Sequence, residues 1–194
     1  MPRRIVIAIT GATGAIYGLR LLQVLGADPG LETHLVITPA GAATVRQELR
    51  MEPAELRALA EVSYGHREIG APIASGSFPV DGMIVAPCSM NTLAAIAQGI
   101  SSNLVTRAAD VVLKERRRLI LLARETPLTL VHLRNMITVT EMGGVVAPPA
   151  PAFYNHPADI SALVDHSVGR TLDLLGLPEL AAGLVRRWQG LGRD

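Results

Sequence analysis

Arg107, Asp110 and Lys114 stand three and four residues apart in "RAADVVLK", so on a helix they share one flank. Lys114 is the only lysine among the 18 Lys and Arg residues. Two cations with a carboxylate between them suit an anionic substrate, and they equally suit a solvated flank with an ion pair. An apolar segment then leads to Arg124 and Glu125. Glu48 ends another helical pattern, and Tyr154 lies in "PPAPAFYNHP", whose prolines hold the chain extended. Arg170 borders an apolar helix face made by Ile160, Leu163, Val164, Thr171 and Leu175. Cations and a phenol are the groups that bind a phosphate, and carboxylates are the groups that move protons. Taken singly, each residue also has an ordinary structural role open to it.

Two glycine- or hydroxyl-rich turns lead from a strand into a helix. In "TGATGAIYG", Thr10 to Gly18, small residues let backbone approach a ligand, and the first N–H groups of the helix suit a phosphate or a flavin edge. A tight turn with close helix packing is the alternative. A nicotinamide-binding domain needs an acidic residue at the end of the second strand, whereas this chain has Thr38-Pro39 there. A hydroxyl suits a phosphate oxygen, which favours a mononucleotide such as FMN over NAD. In "APCSMNTLA", Ser89, Met90, Asn91 and Thr92 open the next such helix, where plain helix capping explains the pattern as well as ligand binding does. Cys88 has no visible His-Asp partnership and reads as a buried, unreactive thiol. The five histidines show no metal-ligand spacing, so no bound metal is expected.

The elements that must hold these residues follow from hydropathy. Apolar runs at residues 4–10, 32–38, 82–86, 118–123 and 144–147 read as strands. Helices are predicted over 15–25, 39–49, 53–62, 90–99, 104–116, 129–142, 159–176 and 178–189, with residues 63–79 a long irregular loop. This alternation predicts an α/β fold: a three-layer αβα, flavodoxin/Rossmann-like parallel sheet in a single domain over residues 1–194. In such folds ligands sit beyond the carboxyl ends of the strands. That rule selects Thr10 to Gly14, Thr38, Pro87 to Thr92, Arg124-Glu125 and Pro148 to Tyr154.

Bulk properties exclude other classes. A net charge of +1 gives no field to draw in nucleic acid, and no apolar run is long enough to span a membrane. A 49% apolar chain with only 3% aromatics points to surface buried between subunits, hence a homo-oligomer. The loop 63–79 and the helix 178–189 are expected at those contacts. One cysteine fits a cytoplasmic location.

Together, "TGATGAIYGLRLL", "ASGSFPVDGMIVAPCSMNTLAAIAQGISSNL", "RAADVVLKERRRLILLARETPL", "HLRNM" and "PAFYNHP" resemble the UbiX-type flavin prenyltransferases over residues 5–188. The resemblance implies a dodecamer of flavodoxin-like subunits with active sites between them. It implies transfer of a dimethylallyl group from dimethylallyl phosphate to N5 and C6 of reduced FMN, without a metal. The prenylated FMN would serve a UbiD-type decarboxylase. Carried over by position, Gly11, Ala12, Thr13, Thr38, Ser89, Met90, Asn91, Thr92, Arg107 and Arg124 would contact FMN. Tyr154, Arg170, Lys114, Glu48 and Glu125 would surround the dimethylallyl phosphate, with Trp188 covering it. Glu48, Glu125, Lys114 and Thr13 are the candidate catalytic groups; Thr13 departs from the serine common in the family. The rival readings are a related FMN-dependent cysteine decarboxylase and a non-catalytic flavin carrier or assembly subunit. The first uses a His base and a "PASANT"-like segment where this chain offers "ASGS" and Arg124-Glu125. The second has no need of Glu48, Lys114, Tyr154 and Arg170 together.

Overall fold

The apolar runs pair into one sheet. In the computed structural model, which describes residues 2–190, strands β1 (Arg3–Ile9), β2 (Leu31–Ile37), β3 (Val62–Gly65), β4 (Gly82–Cys88), β5 (Arg118–Ala123) and β6 (Val145–Val146) are all parallel, in the order β3-β2-β1-β4-β5-β6. Met1 and residues 191–194 of the expected domain lie outside the described residues.

Helices α1 (Ala15–Leu25), α2 (Pro39–Leu49), α3 (Pro53–Arg57), α7 (Ile160–Leu175) and α8 (Pro178–Ala181) cover one face with Ile5, Ile7, Ile9, Leu35 and Ile120. Helices α4 (Met90–Ala97), α5 (Leu104–Lys114) and α6 (Leu130–Glu141) cover the other with Val6, Ala8, Val85 and Leu121. Alternate residues of each strand thus enter two cores, which is why the strands read as unbroken apolar runs.

The chain moves outward from β1 through β2 to β3, then returns to β4 on the other side of β1. The loops leaving β1 and β4 therefore diverge, and the crevice between them is where a ligand fits this fold.

Three expectations need correction. The helix expected over 53–62 ends at Arg57, and Val62–Gly65 becomes the edge strand β3. Glu61 draws the chain back to the sheet, accepting a hydrogen bond of 2.6 Å from the Thr33 N–H of β2. The strand falls in a segment expected to be irregular because it is short and polar. The loop 63–79 consequently shrinks, and it also contains a 3₁₀ turn at Pro72–Ala74. The final helix runs only over Pro178–Ala181, and a turn follows before an irregular tail. Gly183 weakens further helix, while Val185, only 8% exposed, ties that tail to the core.

On α6, Leu130, Val131, Leu133 and Ile137 face solvent in the single chain. Such a run marks a contact surface. No helix among the described residues is long and apolar enough to cross a membrane.

Candidate active site

The crevice is built from two pinned loops. Thr10, buried at the end of β1, donates from its hydroxyl to the Pro87 carbonyl (2.8 Å) and accepts from the Ser89 N–H (2.8 Å). This ties the β1 turn to the β4 turn. Gly14 then enters α1 at φ 109°, a conformation that penalises any side chain. Gly18 lets α1 approach the sheet, since a Cβ there would lie 2.6 Å from the Ala86 carbonyl oxygen.

Glu48, at the end of α2, reaches across to this turn. Its Oε2 accepts from the Gly14 and Ala15 N–H groups, each at 2.9 Å, and its Oε1 accepts from Gly14 at 3.2 Å. The carboxylate therefore caps α1, where the helix dipole favours negative charge. The Gly14 and Ala15 N–H groups, expected to be open to a ligand, are thus engaged by Glu48, while the Ile16 N–H has no partner among the described residues. Glu48 shares a hollow with Gly11, Ala12, Thr13, Ala43, Thr44 and Gln47, and Thr13 is exposed there.

The other hydroxyls mostly cap helices. Thr38 accepts from the Gly41 N–H (3.0 Å), and Ser89 accepts from the Thr92 N–H (3.3 Å) while donating to the Thr92 hydroxyl (3.1 Å). At α4, the N–H groups of Met90 and Asn91 carry no partner among the described residues. These two α4 donors are open to an anion. Cys88 is fully buried, and burial pushes its thiol far above the ordinary cysteine range, as expected for an inert core residue.

β5 delivers Arg124 and Glu125 to the same carboxyl edge. The Arg124 N–H donates to the Cys88 carbonyl (3.1 Å), and both side chains are exposed. They form no ion pair with one another; Glu125 accepts from the Thr126 N–H (3.0 Å).

A cleft of ≈ 360 Å³ opens beside Leu122, between the Pro148–Ala152 segment and α7. Tyr154, His166 and Arg170 line it. Tyr154 stands edge-on to His166 (6.1 Å between rings) and to Trp188 (5.4 Å). Burial and then the Arg170 charge hold His166 below its ordinary value. Arg170 Nη1 donates to Asp173 Oδ2 at 2.7 Å, and Arg187 grips both oxygens of the same carboxylate at 2.6 and 2.8 Å. The hydrogen bond from Arg187 is the main cause holding the Asp173 carboxyl below its usual range.

Arg107 and Lys114 are not brought to these groups within the chain. Helices run against the strands, so α5 ends at the amino edge of the sheet. There Lys114 pairs with Glu115 beside Gly76. Arg107 donates to Asp110 (2.8 Å) and to the Ala74 carbonyl (3.1 Å), fixing the "ASGS" loop. The carboxylate between two expected cations thus serves Arg107.

Sequence reasoning missed Asp173, Arg187 and His166. The Arg170–Asp173 spacing, three apart on a helix, was a readable signal; the reach of Arg187 was not. No group of three or more His, Cys, Asp and Glu side chains is placed to hold a metal ion among the described residues.

Comparison with known proteins identifies the family. Residues 1–172 match the family model described as Flavoprotein. Flavin prenyltransferase UbiX of Neisseria meningitidis serogroup B is 51% identical over 193 residues, covering 98% of this chain and 99% of that protein. The crystal structure of AnUbiX (PadA1) in complex with FMN and dimethylallyl pyrophosphate superposes with a TM-score of 0.94 at 50% identity, covering 99% of this chain and all of that one. The dodecameric FMN-dependent UbiX-like decarboxylase from Escherichia coli O157:H7 gives a TM-score of 0.92 at 48% identity, covering 96% of this chain and 100% of that one. On this evidence the chain belongs to the flavoprotein family and, within it, to the UbiX-type flavin prenyltransferases.

Proposed function

We propose that the protein transfers a dimethylallyl group from dimethylallyl phosphate to N5 and C6 of reduced FMN, in sites shared between subunits of a homo-oligomer. The observation that supports this reading is that two separate hollows lie beside segments leaving the carboxyl ends of the strands. One is the Glu48-capped hollow with the open N–H donors of α4; the other is the cleft lined by Tyr154 and Arg170.

The residues fit an isoalloxazine and its phosphate. The hollow is walled by small side chains, Gly11 and Ala12, and the Met90 and Asn91 N–H groups suit an anion. Reduced FMN supplies the nucleophile when bound. Arg170 and the Tyr154 hydroxyl would bind the donor phosphate and stabilise charge on it as its C–O bond breaks. Glu48, fixed by two backbone donors, is held still enough to receive or return a proton in the hollow. Glu125 and Arg124 extend the same edge, and Trp188 would close the cleft over Tyr154. Lys114 and Arg107 would serve the site of a neighbouring subunit, because within their own chain they lie away from the crevice. A dodecamer would bring the two edges together, with α6, the loop 63–79 and the carboxyl-terminal tail at the contacts.

We place the protein in the cytoplasm and assign its product to a UbiD-type decarboxylase, which needs the modified flavin. The reading predicts that reduced FMN and dimethylallyl phosphate, incubated with the protein without added metal, yield a flavin heavier by one C5H8 unit. An unchanged flavin mass with both the monophosphate and the pyrophosphate refutes it.

A further inference from the structure

Among the described residues, Asp173 is the one point where a side chain of α7 pairs with a charge of the carboxyl-terminal tail. Its side chain is 11% exposed, against 52% for Arg170 and 46% for Arg187. Arg187 makes the forked contact, Nη1 to Oδ2 and Nη2 to Oδ1, while Arg170 makes a single contact to Oδ2. A carboxylate that already holds a forked guanidinium has less pull on a second one. Arg170 is thereby steadied, and its remaining N–H groups have no partner among the described residues.

The tail that supplies Arg187 also carries Trp188. Two residues before Arg187, Val185 is buried against Gly169 of α7, and directly after Arg187 the Trp188 ring meets Tyr154 at 5.4 Å and 82°. Tyr154 and Arg170 line the same cleft.

We propose that Asp173 is a positioning residue for prenyl transfer: it aims Arg170 at the phosphate cleft and, through Arg187, latches the tail that lays Trp188 on Tyr154. One carboxylate thus couples closure of the rim to readiness of the cation. The inference rests on the reading of Arg170 as a phosphate ligand. Without Arg187, Asp173 is free to take Arg170 in a forked pair and withhold it from phosphate. Without the Asp173 charge, two guanidiniums face each other and the tail has no anchor.

Trp188 is the only tryptophan, so its emission reports the tail alone. The test compares wild type, Asp173→Asn, Asp173→Glu and Arg187→Met. Each is followed by Trp188 emission and iodide quenching in the flavin-free full-length protein, with and without inorganic phosphate. Steady-state kinetics with dimethylallyl phosphate complete the set. Asp173→Asn and Arg187→Met are expected to move emission to longer wavelength and increase quenching. They are also expected to raise KM for dimethylallyl phosphate about ten-fold, the loss of roughly one charge-assisted hydrogen bond, and to do so more than they lower kcat. FMN affinity should hold, and Asp173→Glu should restore part of both readouts. A shift in emission with unchanged KM, or a raised KM with unchanged emission, overturns the coupling. If Asp173→Asn does not fold, Arg187→Met gives the same two readouts from an exposed position. If wild type forms no prenylated flavin, the functional reading fails; the latch then stands or falls on whether the variants release Trp188 and weaken inorganic phosphate binding.

Discussion

The two ends of strand β5 carry similar side chains and behave differently. At its carboxyl end, Arg124 and Glu125 stand exposed beside a crevice whose loops are fixed by Thr10 and Glu48. At its amino end, Lys114 is paired with Glu115, and Arg117 donates to the Gly76 and Phe78 carbonyls (3.2 and 3.3 Å). One end leaves its charged groups exposed; the other uses most of its cations to hold a loop. Arg107 and Lys114, seven residues apart, are separated by about 10 Å along α5, so the helix carries Lys114 toward the far edge of the sheet. The difference teaches that charge type does not place a residue in a site. A lysine at the amino edge can serve this chemistry only from a second subunit.

Several substitutions sharpen that contrast. Glu48→Gln should have the largest effect. It keeps one acceptor for the α1 N–H groups but removes the charge, so product formation should fall by about 100-fold or more, in the range of a lost acid–base group. FMN should remain bound, which is checked by flavin retention alongside turnover. Wild-type rates in this variant remove Glu48 from the chemistry. Lys114→Ala should lower turnover by about 10- to 100-fold while leaving thermal stability nearly unchanged, because its pair with Glu115 is exposed. Lys114→Arg asks whether a compact ammonium is required; full activity would show that any cation suffices.

Gly14→Ala tests the crevice as a fold feature. A side chain at φ 109° beside Tyr17 should cost about 1–3 kcal/mol in denaturant unfolding and weaken FMN binding by displacing the Glu48 cap. Unchanged stability would mean that the turn tolerates another backbone conformation.

The smallest effect concerns the sheet edge farthest from β5. His34 is 1% exposed, stacks on Tyr64 and lies near Glu32, Glu61 and Arg4. Its Nε2 is 2.9 Å from Glu32 Oε1, outside hydrogen-bonding geometry, and burial outweighs the Glu32 charge to hold the ring below its ordinary 6.5. The folded state then resists a proton that the unfolded chain accepts. Stability conferred by neutral His34 is therefore present above pH 6.5 and lost as pH falls below it. The Tm of His34→Gln should vary less over that range than that of wild type; equal pH slopes would contradict this.

Much of this was legible in the sequence, for physical reasons. Strands buried on both faces write continuous apolar runs, so β1, β2, β4 and β5 were visible, as was capping of α4 by Ser89. β3 was not, because an edge strand of four residues needs only β2 as a partner and carries little apolar pattern. The glycine turn was legible as a turn, yet its occupant was not. Glu48 lies 34 residues from Gly14, and nothing local announces a side chain that caps a different helix. Lys114 and Arg124 read as two halves of one site along the chain. The antiparallel run of helix against strand in an α/β fold separates them.

The most direct test of the account mixes two damaged subunits. Lys114→Ala and Arg170→Ala proteins should each be about 10- to 100-fold less active alone as homo-oligomers. Dissociated and reassembled together, they should recover prenylated FMN formation, because some sites then combine an intact Arg170 from one subunit with an intact Lys114 from its neighbour. Mixed oligomers that form but stay as inactive as the parents would contradict a site completed across the subunit boundary.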